Sequence, residues 1–389
     1  MESGQLRKLN LCYAGIQSLY WAGFAAIWAF LSVLLLYRGF SNSQIGTVSA
    51  LALLMPLAVQ PVLASLADRD RRFTSRRLAM ALTGLLLLCA VGLWCSAGSM
   101  VVTAALYVLV GISLTATAPF HSAMAMELQQ HGVALNYGLS RGLGSACYAA
   151  SVLVLGVVER YAPTAVLPVF AGEMLLLLLL TWRFRASPTA AAAAGSGPVL
   201  SVGQLLRCYP AYTWLLVGCA LLMACHSATC TYMIHIVGKV GGSESMMGSA
   251  LAVAAFLELP AMGLFSRVRR KVPLAWLLIF CAVFFVIRAG LFWAARSVPV
   301  LYLAAALDFF EYGIFIPATV YYVAEHIDPA NQVKGQSLMG MATTGVGSAF
   351  GNFVSGQLLD RTGVNGMLLF CTICATVGLL VVIYAVRKK

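Results

Sequence analysis

Apolar runs of about 20 residues follow one another along the whole chain, separated by short charged or Gly- and Pro-containing segments. A helix of that length spans about 30 Å, the thickness of a bilayer's hydrocarbon core. The other structure able to satisfy its backbone in lipid is a closed barrel. It requires alternating segments of about ten residues, and these runs are not of that kind. Twelve runs can be marked: 10–36, 44–67, 78–97, 101–127, 137–159, 164–182, 209–237, 246–267, 274–294, 299–324, 336–359 and 365–386. Of 389 residues, 61% are hydrophobic and 10% charged. A soluble domain carries about 25% charge, so this chain could not cover a water-facing surface. The expectation is an all-α membrane protein with twelve transmembrane helices. The first run is too long for a signal-peptide core and reads as an uncleaved helix.

Charge fixes an expected orientation. With both termini cytoplasmic, the inside segments hold 18 of the 25 Lys and Arg residues and the outside segments hold five. Basic residues concentrate on the cytoplasmic side of membrane proteins, so a multi-pass protein of the cell inner (plasma) membrane is expected. Basic loops facing anionic lipid account for the net charge of +12, and no nucleic-acid partner is implied. The 11 cysteines are scattered through apolar runs; Cys371-x-x-Cys374 lies within a helix and has no second pair, so buried free thiols are expected and no metal.

The longest polar stretch is 184–207, "FRASPTAAAAAGSGPVLSVGQLLR", whose Ala/Gly/Ser/Pro content reads as a cytoplasmic linker. The chain repeats itself on either side. "RGLGSA" at 141–146 in the fifth run matches "TGVGSA" at 344–349 in the eleventh, and basic loops follow the second and eighth runs. Two halves are expected, an N-terminal six-helix half at 1–183 and a C-terminal one at 208–389, as in transporters built from repeats.

Twelve runs in two halves, with "LASLADRDRR" after the second, resemble the major facilitator superfamily. The resemblance implies that Asp68 and Arg69 act as a conformational latch, a gating role; Ala64 stands where that family's loop motif has glycine. The second half is similar to the lactose permease-like branch, the oligosaccharide:proton symporters. Arg288 is followed twenty residues later by Asp308 and three further on by Glu311, in the frame that branch uses for proton coupling. In the first half, "YGLSRGLGSACY" places Arg141 in its G-x-x-R-x-x-G sugar frame, with Tyr148 at the stacking position. The branch's histidine is Asp308 here and its stacking tryptophan is Tyr148. It has an acid in the fourth helix where this chain has Ser122, and a lysine in the eleventh where this chain has Thr344.

The residues support the coupling reading by themselves. Charged groups within apolar spans are costly and commonly functional. Asp308 and Glu311 are i and i+3 and share a helix face. Arg288, on the preceding antiparallel span, falls at nearly the same depth, which makes an ion pair natural. One arginine cannot neutralise two carboxylates, so one of them can exchange a proton; the competing reading is a static pair that fixes packing. Glu258, two residues before Pro260, is a candidate solute contact beside a helix kink. His226 and His235, nine residues apart, read as packing residues with a proton relay as the alternative, and Glu173 is assigned no role.

The leading expectation is a secondary active transporter, a proton-coupled symporter of a small organic solute (a sugar or an organic acid) working by alternating access as a monomer, with its solute, protons and lipid as partners. Arg141, Tyr148 and Glu258 would bind substrate; Asp308, Glu311 and Arg288 would couple protons. Drug or metabolite efflux by proton antiport is the alternative, with Trp21, Trp28, Phe310 and Tyr312 lining a greasy site. A non-transporting sensor is a third reading. Nucleotide, metalloprotease and hydrolase motifs are absent, so neither an enzyme nor a cofactor is expected.

Overall fold

The computed structural model describes residues 3–69, 73–96, 98–130, 133, 135–160, 162, 164–184 and 200–387. Most of the sequence linker, 185–199, lies outside the described residues, as do the side chains of Asp68 and Arg69. Among the described residues there are helices and no strands. Ten stretches are long and apolar enough to cross a membrane, and the bent pair Gln5–Ala29 and Leu31–Tyr37 makes an eleventh. The last stretch, Pro329–Arg387, has 59 residues, about 88 Å if straight and far more than one crossing needs. It breaks at Gly363, whose φ of +71° a side chain would disfavour, so it holds the eleventh and twelfth spans. Large apolar side chains lie on the outer surface, Leu88, Val101 and Leu380 among them, as a lipid solvent allows.

The chain forms two compact units. One comprises residues 1–40 and 51–191, the other 41–50 and 192–389. In the first, irregular backbone is satisfied by side chains. The π-helical turn Ala25–Ala29 in the first span frees the Ile27 carbonyl, which accepts a hydrogen bond from Tyr107 Oη at 2.9 Å. Pro119 in the fourth span has no N–H for the Thr115 carbonyl, and Gln60 Nε2 donates to that carbonyl instead, at 3.1 Å. Arg38 donates to the Leu93 carbonyl and to Thr103 Oγ1, closing the end of the third span, Ser75–Cys95.

In the second unit, the seventh span (Pro210–Thr231) and the eleventh pack backbone to backbone. A Cβ at Gly347 or Gly351 would collide with the carbonyls of Ala220 and Ala224. The first turns of the second span, Ser41–Ala50, group with this unit. Asp360, at the turn between the last two spans, accepts from the Asn42 and Ser43 backbone N–H groups at 3.2 and 2.8 Å and from both their side chains. A carboxylate at the start of a helix satisfies its free donors and complements its dipole.

Candidate functional site

The tenth span supplies two of the site's carboxylates and does so where its helix breaks. Helix Val298–Ala306 gives way to a 3-10 turn at Leu307–Phe309, and an α-helix resumes at Tyr312–His326. Glu311 sits at the junction with φ −86° and ψ −91°, outside the helical region. Gly313 and Pro317 follow. A Cβ at Gly313 would press on Ala261 of the eighth span (Glu244–Arg269), and Pro317 withholds the N–H that the Gly313 carbonyl would take. Asp308 and Glu311 therefore project from an interrupted helix rather than from one continuous face. Interrupted helices recur at the ion and solute sites of transporters.

The ion pair expected from depth counting is present. Arg288, in the ninth span (Leu274–Ala294), places Nη1 3.1 Å from Glu311 Oε2 and 3.2 Å from Asp308 Oδ1. Its Nε donates to the Ala304 carbonyl at 3.2 Å, anchoring the guanidinium to the tenth span. All three side chains are 2% exposed or less, so their charges must be balanced locally.

The balance is completed by a residue that sequence reasoning assigned to packing. His226 of the seventh span brings Nδ1 to 3.1 Å from Glu311 Oε1 and 3.7 Å from Asp308 Oδ1. Facing a carboxylate oxygen, Nδ1 is the donor. The imidazole stacks on Tyr312 at 4.4 Å between centroids with planes 7° apart, and Nε2 lies 3.7 Å from Cys230 Sγ. Two carboxylates thus meet Arg288 and a titratable imidazole. The signal was the charge count: a second cation was needed, and in run 209–237 only His226 and His235 can carry a positive charge. Glu258, half-buried in the eighth span, interacts electrostatically with Asp308. Four consecutive spans of the second unit therefore contribute to one cluster. Asp308 Oδ1 and Arg288 Nη2 are buried without a hydrogen-bond partner among the described residues, so the network is not closed there.

His226, Asp308 and Glu311 have ligand atoms within 4.8 Å of one another, as a metal site would. The Arg288 guanidinium already lies against both carboxylates, where a metal ion would meet its repulsion. The geometry is that of an ion-pair network.

Arg141 and Tyr148 belong to the fifth span (Tyr137–Glu159) in the first unit. The Arg141 guanidinium carbon lies 3.9 Å from the centroid of Trp21, and Nη1 donates to Ser145 Oγ at 2.7 Å. Gly144 permits this approach, since a Cβ there would strike Trp21. Trp21, Phe24, Trp28 and Tyr148 form a chain of ring contacts beside the arginine. In the sixth span, one carboxylate oxygen of Glu173 is buried without a hydrogen-bond partner among the described residues.

Comparison with known proteins supplies the frame. The MFS_1 like family matches residues 10–372. A maltose permease of Geobacillus stearothermophilus is 26% identical over 368 residues, covering 94% of this chain and 92% of that one. An uncharacterized transporter of Bacillus subtilis (strain 168), YwbF, is 21% identical over 97% of this chain and 94% of its own. Among solved structures, the nucleoside transporter NupG superposes with a TM-score of 0.82 at 15% identity, covering 98% of this chain and 99% of that one. A POT family peptide transporter in an auto-inhibited state reaches 0.75 at 11% identity over 99% and 97% of the two chains.

Proposed function

Because the chain belongs to the MFS_1 like family, whose members are membrane transporters and not enzymes, we propose that it couples proton entry to symport of a small polar solute. A sugar is favoured by the maltose permease relative, and a nucleoside or an organic acid would suit the same chemistry. The observation that carries this reading is the buried cluster on four spans of the second unit. Three acidic side chains, Glu258, Asp308 and Glu311, meet Arg288 and His226.

The chemistry follows from the proton inventory. Two interacting carboxyl groups repel when both are ionised, so Glu258 and Asp308 are the natural place to hold the transported proton. Glu311, held by Arg288 and His226, provides the second acceptor. A solute hydroxyl that bonds Glu258 competes with Asp308 for it, so solute binding and proton retention act on the same carboxylate. Within the first unit, Arg141 and Tyr148 would bind solute, since guanidinium and rings suit a polyhydroxylated or planar ligand. Asp68 and Arg69 gate the cycle by alternating access. The chain is organised as halves 1–183 and 208–389 around linker 184–207, with both termini cytoplasmic, and works as a monomer.

The test is uptake into proteoliposomes with an imposed pH gradient, using maltose, a nucleoside and an aromatic acid as probes. The wild type should accumulate one of them only when the interior is alkaline. Glu311→Gln and Asp308→Asn should retain exchange of that solute down its gradient while accumulation falls by at least tenfold. Accumulation that ignores the pH gradient, or survives in both variants, refutes the assignment.

A further inference from the structure

Away from the buried cluster, the second unit has a cavity of about 450 Å³ where the eighth span ends and the ninth begins. Arg269, Arg270, Lys271, Val272, Pro273 and the first residues of the ninth span line it, together with Glu325 and His326 from the end of the tenth. Three cationic side chains face one carboxylate. Arg269 Nη2 donates to both oxygens of Glu325 at 2.6 and 2.7 Å, which fixes the arginine and consumes the only acid in the lining. Arg269 Nε is buried with no hydrogen-bond partner among the described residues. Arg270 and Lys271 are exposed and form no ion pair among the described residues. His326 is oriented by stacking on Tyr322, with centroids 4.1 Å apart, and by donating from Nδ1 to the Tyr322 carbonyl at 3.0 Å.

The backbone adds to this field. The ninth span is a 21-residue helix with Pro273 at its cap, and proline offers no side chain to accept from the first turn. Leu274 and Ala275, which line the cavity, carry the first N–H groups of this helix at the positive end of its dipole. Trp276, the next residue, is 61% exposed on the outer face. Tryptophan at the end of a span marks the headgroup layer of a bilayer. A concave cationic site at that depth is built for an anion that resides there.

We propose that this cavity binds a phosphate group, carried by an anionic lipid headgroup. Arg270 and Lys271 supply the charge, Arg269 a donor at its Nε, and the start of the ninth span the backbone amides. The cavity exceeds what a bare ion needs and accommodates the glycerol that accompanies a lipid phosphate.

The test uses the purified full chain in detergent and reads its thermal unfolding. Dihexanoyl-phosphatidylglycerol, dihexanoyl-phosphatidylcholine and inorganic phosphate are each added to the wild type, to R270Q/K271Q and to R267Q. Arg267 is exposed nearby and does not line the cavity, so R267Q controls for general loss of basic charge. The anionic lipid should raise the wild-type midpoint by several degrees more than the choline lipid. R270Q/K271Q should lose at least half of that difference and R267Q should keep it. Phosphate without effect identifies the lipid as the source, and a matching rise from phosphate assigns the site to soluble phosphate instead of the lipid. The proposal falls if neither the anionic lipid nor inorganic phosphate shifts the wild type more than the choline lipid does, if R270Q/K271Q retains the shift, or if R267Q loses as much.

Discussion

Replacing Arg288 with glutamine probes whether the buried network is held by charge balance. The substitution removes a cation whose Nη1 lies 3.1 Å from Glu311 and 3.2 Å from Asp308. At that distance the attraction to each carboxylate is about 5 kcal/mol with an effective dielectric of about 20, and much of it offsets the cost of taking the charges out of water. Removing one partner exposes that cost, and breaking a buried pair destabilises by about 3–5 kcal/mol. With about 2.1 cal/mol/K per residue of unfolding entropy over 389 residues, R288Q should lower the midpoint by about 4–6 °C. Adding E311Q removes the charge that lost its partner, leaving Asp308 with His226. R288Q/E311Q should therefore be more stable than R288Q, a coupling of about 2–3 kcal/mol in a double-mutant cycle. The assay is thermal unfolding of the four proteins in one detergent. Additive losses, or a double variant below both singles, would show that shape and not charge holds these residues, and the reasoning would fail.

Other consequences are as direct. G351A should destabilise by about 1–3 kcal/mol because its methyl meets the Ala224 backbone. G172A, where a Cβ meets nothing within 4 Å, should be neutral or gain up to about 1 kcal/mol of helix propensity; unfolding midpoints compare the two. Q60L should cost about 1–3 kcal/mol by stranding the Thr115 carbonyl. In a P119A background, where residue 119 again has an N–H, the same change should cost measurably less. D360A should cost about 0.5–2 kcal/mol as a lost helix cap. Its Asn42 and Ser43 donors outweigh the effect of burial and hold the Asp360 carboxyl down at about 2. A depressed carboxylate stabilises fully above its ordinary value near 4, and that contribution is lost as pH falls through about 2. The wild type minus D360A midpoint difference should then be flat from pH 5 to 8; a difference that vanishes within that window contradicts the cap.

Hydropathy placed the spans well because lipid leaves the backbone few alternatives, and the broken stretches were the hard part. The π-helical turn at Ala25–Ala29 has no proline or glycine inside it and looks like ordinary helix in sequence. Its compensation, the Tyr107 hydroxyl, lies 80 residues away. Spacing likewise put Arg288, Asp308 and Glu311 at one depth, since neighbouring antiparallel spans are related by simple counting. It could not show that the helix opens between Ala306 and Tyr312, because Gly313 and Pro317 bias that break only in concert with Ala261 of another span.

His226 is the most instructive omission, and charge counting explains both why it was missed and what it does. Periodicity assigns a residue to a face but cannot say which distant span that face meets, and His226 and Glu311 are 85 positions apart. The arithmetic of charge is independent of topology. Two buried carboxylates beside one arginine leave a negative charge that burial does not tolerate, so a proton or a second cation must be present. An imidazole supplies either, because it can gain or lose its charge near neutral pH. His226→Gln keeps a donor near Glu311 but removes the titratable cation. It should leave solute exchange largely intact while reducing accumulation under a pH gradient several-fold. His226→Lys keeps the cation and should restore folding stability without restoring the pH response. If both variants accumulate solute as the wild type does, the imidazole is a packing residue after all, and the second charge must be sought on the carboxyl groups themselves.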